Sequence, residues 1–211
     1  VLDTDDSGVS SSSYETTYTD YGSTIEITYD ENNPDRILNQ VETFINDDGE
    51  TYEEINTDYT YDGDNLVKET IKTDLYEDEM VSDTTNEVSY YVGFDESDNP
   101  LSRVTTYYQG EVETSNIVYK EDEFYYYEDE DMISSVQTTY YRKDDGTYIK
   151  GITDYVIYGY DEYDNVSAIV STEYGDDVVV EIDSETGEIS VSGTQGETTV
   201  TNIEYDEYTR S

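Results

Sequence analysis

Apolar and polar residues alternate along most of this chain, with the period of a β-strand. Ahead of Tyr29, for example, Ile25 and Ile27 are each separated from the next apolar position by one polar residue. This two-residue period places the apolar side chains on one face of an extended strand. Val, Ile, Thr and Tyr fill most of these positions, and all four suit a pleated, half-buried surface. The pattern predicts an all-β fold, because no segment has the sustained periodicity of a helix.

The strand pattern recurs as an internal repeat of about 33 residues. Its anchor is an aromatic residue followed by a carboxylate, at Tyr29-Asp30, Tyr61-Asp62, Phe94-Asp95, Tyr127-Glu128 and Tyr160-Asp161. A sixth anchor, Tyr205-Asp206, follows after about 45 residues, so we expect an insertion in the last unit.

A short acidic turn follows each anchor, and a second strand follows the turn. Most of the second strands begin with two apolar residues three apart, as in Leu38/Val41, Leu101/Val104, Ile133/Val136 and Val166/Ile169. This spacing breaks the alternation and predicts a bulge or a twist there. Two strands per unit predict an antiparallel meander of about 10 to 12 long strands, in a curved or twisted sheet.

The same pattern divides the chain. Residues 1–20 are rich in Ser, Thr and Asp, which predicts a flexible N-terminal arm or an edge strand that pairs with another molecule. Residues 21–211 are predicted to form a single β-repeat domain. Its insertion is predicted to hold an extra hairpin at residues 176–200, with Gly187 in the loop where φ must be positive.

Two of the anchors resemble a known family. Residues 59–66 (YTYDGDNL) and 158–166 (YGYDEYDNV) are similar to YD repeats, the bacterial family that includes the Rhs and teneurin proteins. The resemblance covers about residues 25–174. Members of that family coil long β-strands into a spiral, often as a shell around a cargo, so it implies an exported β-repeat scaffold. The units here are longer than usual, Asp-Asn often replaces Gly-Arg or Gly-Asn, and the units are too few to enclose a cargo.

The chain is extremely acidic, which limits its partners. It has 54 acidic and 9 basic residues, for a formal net charge of −45. Nucleic acids and anionic membranes bind basic surfaces, so neither is expected as a partner. No apolar run approaches the roughly 20 residues of a membrane span, so we expect no membrane insertion. Repulsion between carboxylates opposes folding, and salt or Ca²⁺ is expected to relieve it.

The chain also lacks the residues of common catalytic sites. It has no Cys and no His, so disulfides, zinc, haem and iron–sulfur sites lose their usual ligands. The Ser-His and Cys-His nucleophile pairs are excluded for the same reason. We expect a protein that is not an enzyme and requires no cofactor.

The acidic turns are the candidate binding sites. Three of them place two carboxylates within a few residues of each other: Asp62 with Asp64, Asp95 with Asp98, and Asp161 with Asp164. Ca²⁺ takes six to eight oxygen ligands and suits such loops. The alternative is that each aspartate caps its own turn and the remaining charge is solvated.

The 26 tyrosines also have two interpretations. Aromatic residues at alternate strand positions usually form a core and cross-strand pairs. They can instead form a surface on which planar ligands such as glycans stack. Adjacent aromatic residues, as in Tyr107-Tyr108 and Tyr140-Tyr141, place rings on both faces of the sheet, which predicts packing against a second layer or a neighbouring molecule.

Together these features predict a structural or adhesive protein of the extracellular space or cell surface. The composition is typical of export, and the start at Val1 without Met is expected for a processed product. The protein would be a subunit of a surface layer, fibre or stalk and would associate with itself or with neighbouring surface proteins. Strand addition, with Ser10–Tyr21 as donor, and cation dependence are the predicted means. The alternative is a secreted or lipid-anchored binding module with a tyrosine-lined groove.

Overall fold

The computed structural model describes residues 18–20, 22–46, 48–128, 131–161, 163, 165–184 and 186–203. These residues form fourteen strands: β1 (Tyr18–Asp20), β2 (Ser23–Asp30), β3 (Asn33–Ile45), β4 (Thr51–Asp62), β5 (Asn65–Glu77), β6 (Met80–Phe94), β7 (Pro100–Gln109), β8 (Ile117–Glu128), β9 (Asp131–Arg142), β10 (Tyr148–Tyr160), β11 (Val166–Tyr174), β12 (Val179–Ile182), β13 (Ile189–Ser192) and β14 (Gln195–Asn202). The described helix is a single 3₁₀ turn at Thr114–Asn116. No helix in this part of the chain is long and apolar enough to cross a membrane.

The strands form one long antiparallel meander. β1 to β11 lie side by side in chain order, β14 follows β11, and β12 and β13 form a separate hairpin. β1 and β14 are therefore the two edges of a twelve-stranded sheet. The predicted all-β meander of long strands is confirmed. Residues 1–17 of the predicted arm and the sixth anchor, Tyr205-Asp206, lie outside the described residues.

The chain divides into two compact units. The first consists of Val1–Tyr90 and Thr106–Val118, and the second of Tyr91–Thr105 and Tyr119–Ser211. Each of β6, β7 and β8 contributes residues to both units. The single domain expected over residues 21–211 stays a prediction.

A β-bulge marks the start of the second strand in four of the described repeats. The anchor Tyr29 in β2 is opposite Ile37 in β3, but Thr28 is opposite Asn39, so Leu38 is an extra residue. The equivalent extra residues in β5, β9 and β11 are Val67, Ile133 and Ser167. The irregularity predicted from the broken alternation is confirmed in β3, β9 and β11. The bulge in β5 occurs without that pattern, because Leu66 is followed three residues later by Glu69.

The insertion in the last unit forms the β12–β13 hairpin, with Val179 opposite Ser192 and Ile182 opposite Ile189. The chain returns to the main sheet earlier than predicted. Residues 195–200, which the predicted hairpin range includes, instead belong to β14 and pair with β11. The carboxylate of Asp177 helps to fix this return, since it accepts hydrogen bonds from the N–H and the hydroxyl of Thr194 at 3.1 Å and 2.7 Å. Such a contact across the base of a hairpin has no signal in residue spacing.

The buried residues of the sheet are small and mostly polar. Val88 is the only buried apolar residue among the described residues of the first unit. Thr105, Thr153 and Ser89 are among the most deeply buried side chains of the protein. Side chains of this size are covered by their neighbours on the sheet, whereas a large ring needs a second layer over it.

Most of the described tyrosines are only partly buried, so they cover the faces of the sheet without forming a sealed core. Tyr174 is the one tyrosine among them that is buried, and Tyr90 and Tyr141 stay about half exposed. The expected aromatic cross-strand pairs are present. Tyr119 and Tyr141, on β8 and β9, have ring centroids 6.3 Å apart. The rings cover their neighbours in the sheet but remain accessible to water.

The hairpin supplies a second layer over one face of the second unit. The hydroxyl of Tyr155 donates to the carbonyl oxygen of Ile189 at 3.2 Å. The Nζ of Lys150 donates to the carbonyl oxygen of Val178 at 3.1 Å. Beneath it, Val136 is opposite Tyr155 in the sheet and is 1% exposed. A second layer is what the pairs of adjacent aromatic residues predicted, although here it comes from the same chain.

The turn between β5 and β6 offers a test of backbone strain. Asp78 and Glu79 form a two-residue loop and both have positive φ, 51° and 63°. This is the conformation of a type I′ turn, for which Asn-Gly is the preferred sequence. We expect the variant Asp78→Asn/Glu79→Gly to raise the free energy of unfolding by about 1 kcal/mol, because a left-handed residue with a side chain costs about 1–2 kcal/mol. Urea unfolding followed by circular dichroism measures it.

The matched control is Asp78→Asn/Glu79→Gln, which removes the same two charges but keeps a side chain at position 79. If the two variants are equally stable, the gain comes from reduced charge and the strain interpretation fails.

Candidate functional site

Arg36 ties together the acidic turns of two consecutive repeats in the first unit. Its guanidinium donates to Asp30 Oδ2 at 3.3 Å, to Asp64 Oδ1 at 2.7 Å and to the carbonyl oxygen of Gly63 at 2.6 Å. The same group lies 4.7 Å from the ring centroid of Tyr61. Charge-assisted hydrogen bonds and a cation–π contact thus meet at one side chain, which is 18% exposed.

This contact bears on the first predicted calcium pair, Asp62 and Asp64. Both residues are exposed on the β4–β5 turn, and the Asp64 side chain is 85% exposed. Because Arg36 already binds Asp64, a cation at this turn would have to compete with a guanidinium.

In the second pair, Asp95 caps its own turn. Its Oδ1 accepts hydrogen bonds from the N–H groups of Ser97 and Asn99 at 2.8 Å and 2.9 Å. Partial burial would raise the pKa of Asp95, but the hydrogen bonds from Asn99 and Ser97 outweigh it and lower the pKa. Asp98 is exposed and has a positive φ of 63°, at the turn position that glycine usually fills.

The third pair is described in part. Asp161 Oδ1 accepts hydrogen bonds from the N–H groups of Tyr163 and Asn165 at 2.8 Å and 3.1 Å, so this aspartate also closes its turn. Asp164 lies outside the described residues.

Asp95 and Asp161 thus have the geometry of the alternative interpretation, in which the first aspartate caps the turn. No group of three or more acidic side chains within the described residues is arranged to hold a metal ion. Calcium binding at these turns stays a prediction, and two of its ligands, Asp95 and Asp161, would be carboxylates that already accept two backbone hydrogen bonds.

A second cluster of interactions surrounds Arg103 on β7. Its Nε and Nη2 donate to Glu123 Oε2 at 3.1 Å and 2.8 Å. The hydroxyl of Tyr125 donates to the same oxygen at 2.7 Å, and Tyr91 also hydrogen-bonds to Arg103. The side chain of Glu123 is only 14% exposed. The ion pair of Arg103 and Glu123 therefore joins β7 to β8, and Tyr91 and Tyr125 hydrogen-bond to its two members.

Burial and hydrogen bonds shift the pKa values of the groups in this cluster. Burial, followed by the hydrogen bond to Glu123, raises the pKa of Tyr125 well above its ordinary value. Burial alone would lower the pKa of Arg103, but Tyr125 and Glu123 raise it overall. Burial and the charges of Asp95 and Glu123 raise the pKa of Tyr127 to about 12. The raised pKa values keep Arg103 charged and both tyrosine hydroxyls protonated, and these are the forms that make the hydrogen bonds of the cluster.

Lys72 stabilises a buried carboxylate in the first unit. Lys72 Nζ lies 2.6 Å from Asp74 Oδ2, and the hydroxyl of Thr84 donates to Asp74 Oδ1 at 2.5 Å. Burial would raise the pKa of Asp74, but the hydrogen bonds from Lys72 and Thr84 lower it overall. The carboxylate therefore stays charged although it is buried.

The basic residues make the contacts that the pattern of strands and turns does not predict. Arg36, Lys72 and Arg103 each bind a carboxylate, and Lys120 Nζ lies 5.1 Å from the ring centroid of Tyr148. Only 9 of the 211 residues are basic. A rare cation inside a predicted strand of so acidic a chain is the feature that would have identified these contacts.

Three shallow depressions lie among the residues that the structure describes, and none of these three is a tyrosine-lined groove of the kind expected for the ligand-binding alternative. They measure about 600, 200 and 320 Å³, and each has at most one tyrosine in its lining. The smallest lies at Arg36 and is lined by Asn33, Arg36, Tyr61 and Asp64. Acidic and polar side chains dominate all three.

Comparison with known proteins adds no assignment. The sequence matches no protein-family model and no curated protein. The resemblance to YD repeats therefore stays a prediction carried by residues 59–66 and 158–166.

Proposed function

We propose that this chain is a non-enzymatic structural or adhesive protein of the extracellular space or cell surface, a subunit of a surface layer, fibre or stalk. The observation that carries the proposal is that β1 to β11 lie side by side in chain order, with β1 and β14 as the edges of the described sheet. A meander of similar units extends in one direction by adding strands, and its free edges can pair with another chain.

The distribution of charge supports regulated association. Arg36, Lys72 and Arg103 are bound within their own chain, so they supply little positive charge for a partner. The net charge of −45 keeps copies apart at low ionic strength, because like-charged surfaces repel. Salt shortens the range of that repulsion to roughly 8 Å at physiological strength. Association is then limited to contacts that bring few carboxylates together.

The proposal is tested by thermal unfolding and particle size, measured together across NaCl and CaCl₂ at matched ionic strength. We expect both salts to raise the unfolding midpoint and to increase particle size, because both screen the carboxylates. A far larger effect of CaCl₂ would assign specific cation sites to the acidic turns. A chain that stays monomeric at high concentration in both salts would contradict assembly.

A further inference from the structure

β14 is an unusual edge strand for so acidic a protein. All eight of its residues are exposed, and Glu197 is the one charged residue among them. The last five residues, 198–202, read TTVTN and combine high β-propensity with no charge. Edge strands are normally protected by charged residues, prolines or short length. None of these protects residues 198–202.

The register of β14 identifies the backbone groups that point outward. The N–H of Ile203 donates to the carbonyl oxygen of Ser167 at 2.9 Å, so these two residues form a hydrogen-bonded pair. Hydrogen-bonded and non-hydrogen-bonded pairs alternate along an antiparallel ladder. Thr198, Val200 and Asn202, which are opposite Thr172, Val170 and Ala168, are therefore in non-hydrogen-bonded pairs. Their N–H and C=O groups point away from β11, to the free edge.

We propose that β14 pairs antiparallel with β14 of a second copy of this chain, around a two-fold axis at Val200. In this register Val200 is opposite Val200, Thr198 is opposite Asn202, and Thr199 is opposite Thr201. The outward groups of the two strands then form about six hydrogen bonds, two for each facing pair. This inference rests on the proposed structural role, in which copies associate, and it names the surface through which they do so.

The charge of β14 does not oppose a second copy in this register. Glu197 is opposite Ile203 of the second copy, and the two Glu197 residues are about 20 Å apart at a strand rise of about 3.4 Å per residue. That separation exceeds the roughly 8 Å range of charge interactions at physiological salt. The other edge, β1, is described over three residues, whereas β14 is described over eight. A two-fold contact is self-complementary and closes on itself, so the product of this contact is a dimer.

The test compares edge variants of the full chain by sedimentation velocity over a range of concentrations in high NaCl. Val200→Pro removes an outward N–H without removing a bond to β11, and prolines are tolerated on edge strands. Val200→Asp places two carboxylates opposite each other at the axis, and Val200 is 59% exposed, so the fold is preserved. Val200→Ala keeps the backbone donor. Val179→Asp adds the same charge at an exposed position of β12, away from the edge.

We expect dimers for the wild type, Val200→Ala and Val179→Asp, and at least tenfold weaker association for Val200→Pro and Val200→Asp. The circular dichroism spectrum and the unfolding midpoint should stay unchanged in Val200→Asp. If the wild type associates and both edge variants associate equally well, the β14 interface is wrong while assembly stands. If the wild type is monomeric under all conditions, both this interface and the proposed assembly fail.

Discussion

Replacing Arg103 by Met is expected to lower the free energy of unfolding by about 3 kcal/mol, because it leaves the nearly buried carboxylate of Glu123 without its cation. Two hydrogen bonds from the guanidinium to Glu123 Oε2 are lost. The remaining donor to that oxygen, the hydroxyl of Tyr125, is neutral and compensates less of the charge. Urea unfolding followed by circular dichroism measures the loss.

The double variant Arg103→Met/Glu123→Gln separates the ion pair from general packing. Removing the carboxylate charge should restore at least half of the lost stability, since Gln keeps an oxygen that accepts from Tyr125. Lys143→Gln is the matched control for net charge, because Lys143 is exposed on the β9–β10 turn. If the double variant is as unstable as Arg103→Met, the loss comes from packing of the arginine stem and the buried-charge explanation fails.

Arg36→Gln is expected to lower the free energy of unfolding by about 2 to 3 kcal/mol. The substitution removes charge-assisted hydrogen bonds to Asp30 and Asp64, each worth about 1.5–3 kcal/mol before solvent exposure reduces it. It also removes the contact with the Tyr61 ring, worth about 0.5–1 kcal/mol. The two turns would then present neighbouring carboxylates without a cation between them.

The conservative variant Arg36→Lys distinguishes geometry from charge. A lysine keeps the charge but not the planar fork that reaches both turns, so we expect it to recover less than half of the loss. The effect of Arg36→Gln should also shrink in high salt, which screens the exposed Asp64 more than the half-buried Asp30. Full recovery by lysine would show that net charge alone matters at this position.

The sequence predicted the architecture because a β-strand has a local signature. Alternation every two residues, anchors about 33 residues apart and acidic turns between strands are properties of neighbouring residues. They were sufficient to predict the antiparallel meander and the bulge that leaves Leu38 or Ile133 unpaired. The β12–β13 hairpin was also visible, since its loop contains Gly187 at a positive φ of 76°.

The tertiary structure decided which side chains meet, because contacts between strands join residues far apart in the chain. Arg36 reaches Asp64, Arg103 reaches Glu123 and Asp177 holds Thr194, and none of these pairs shares a local pattern. Burial was likewise decided by packing. Tyr90 and Tyr141 stay about half exposed, whereas Val136, on the face that the hairpin covers, is 1% exposed. The periodicity of a chain determines which side of a strand a residue occupies, but only the packed sheet determines whether anything covers that side.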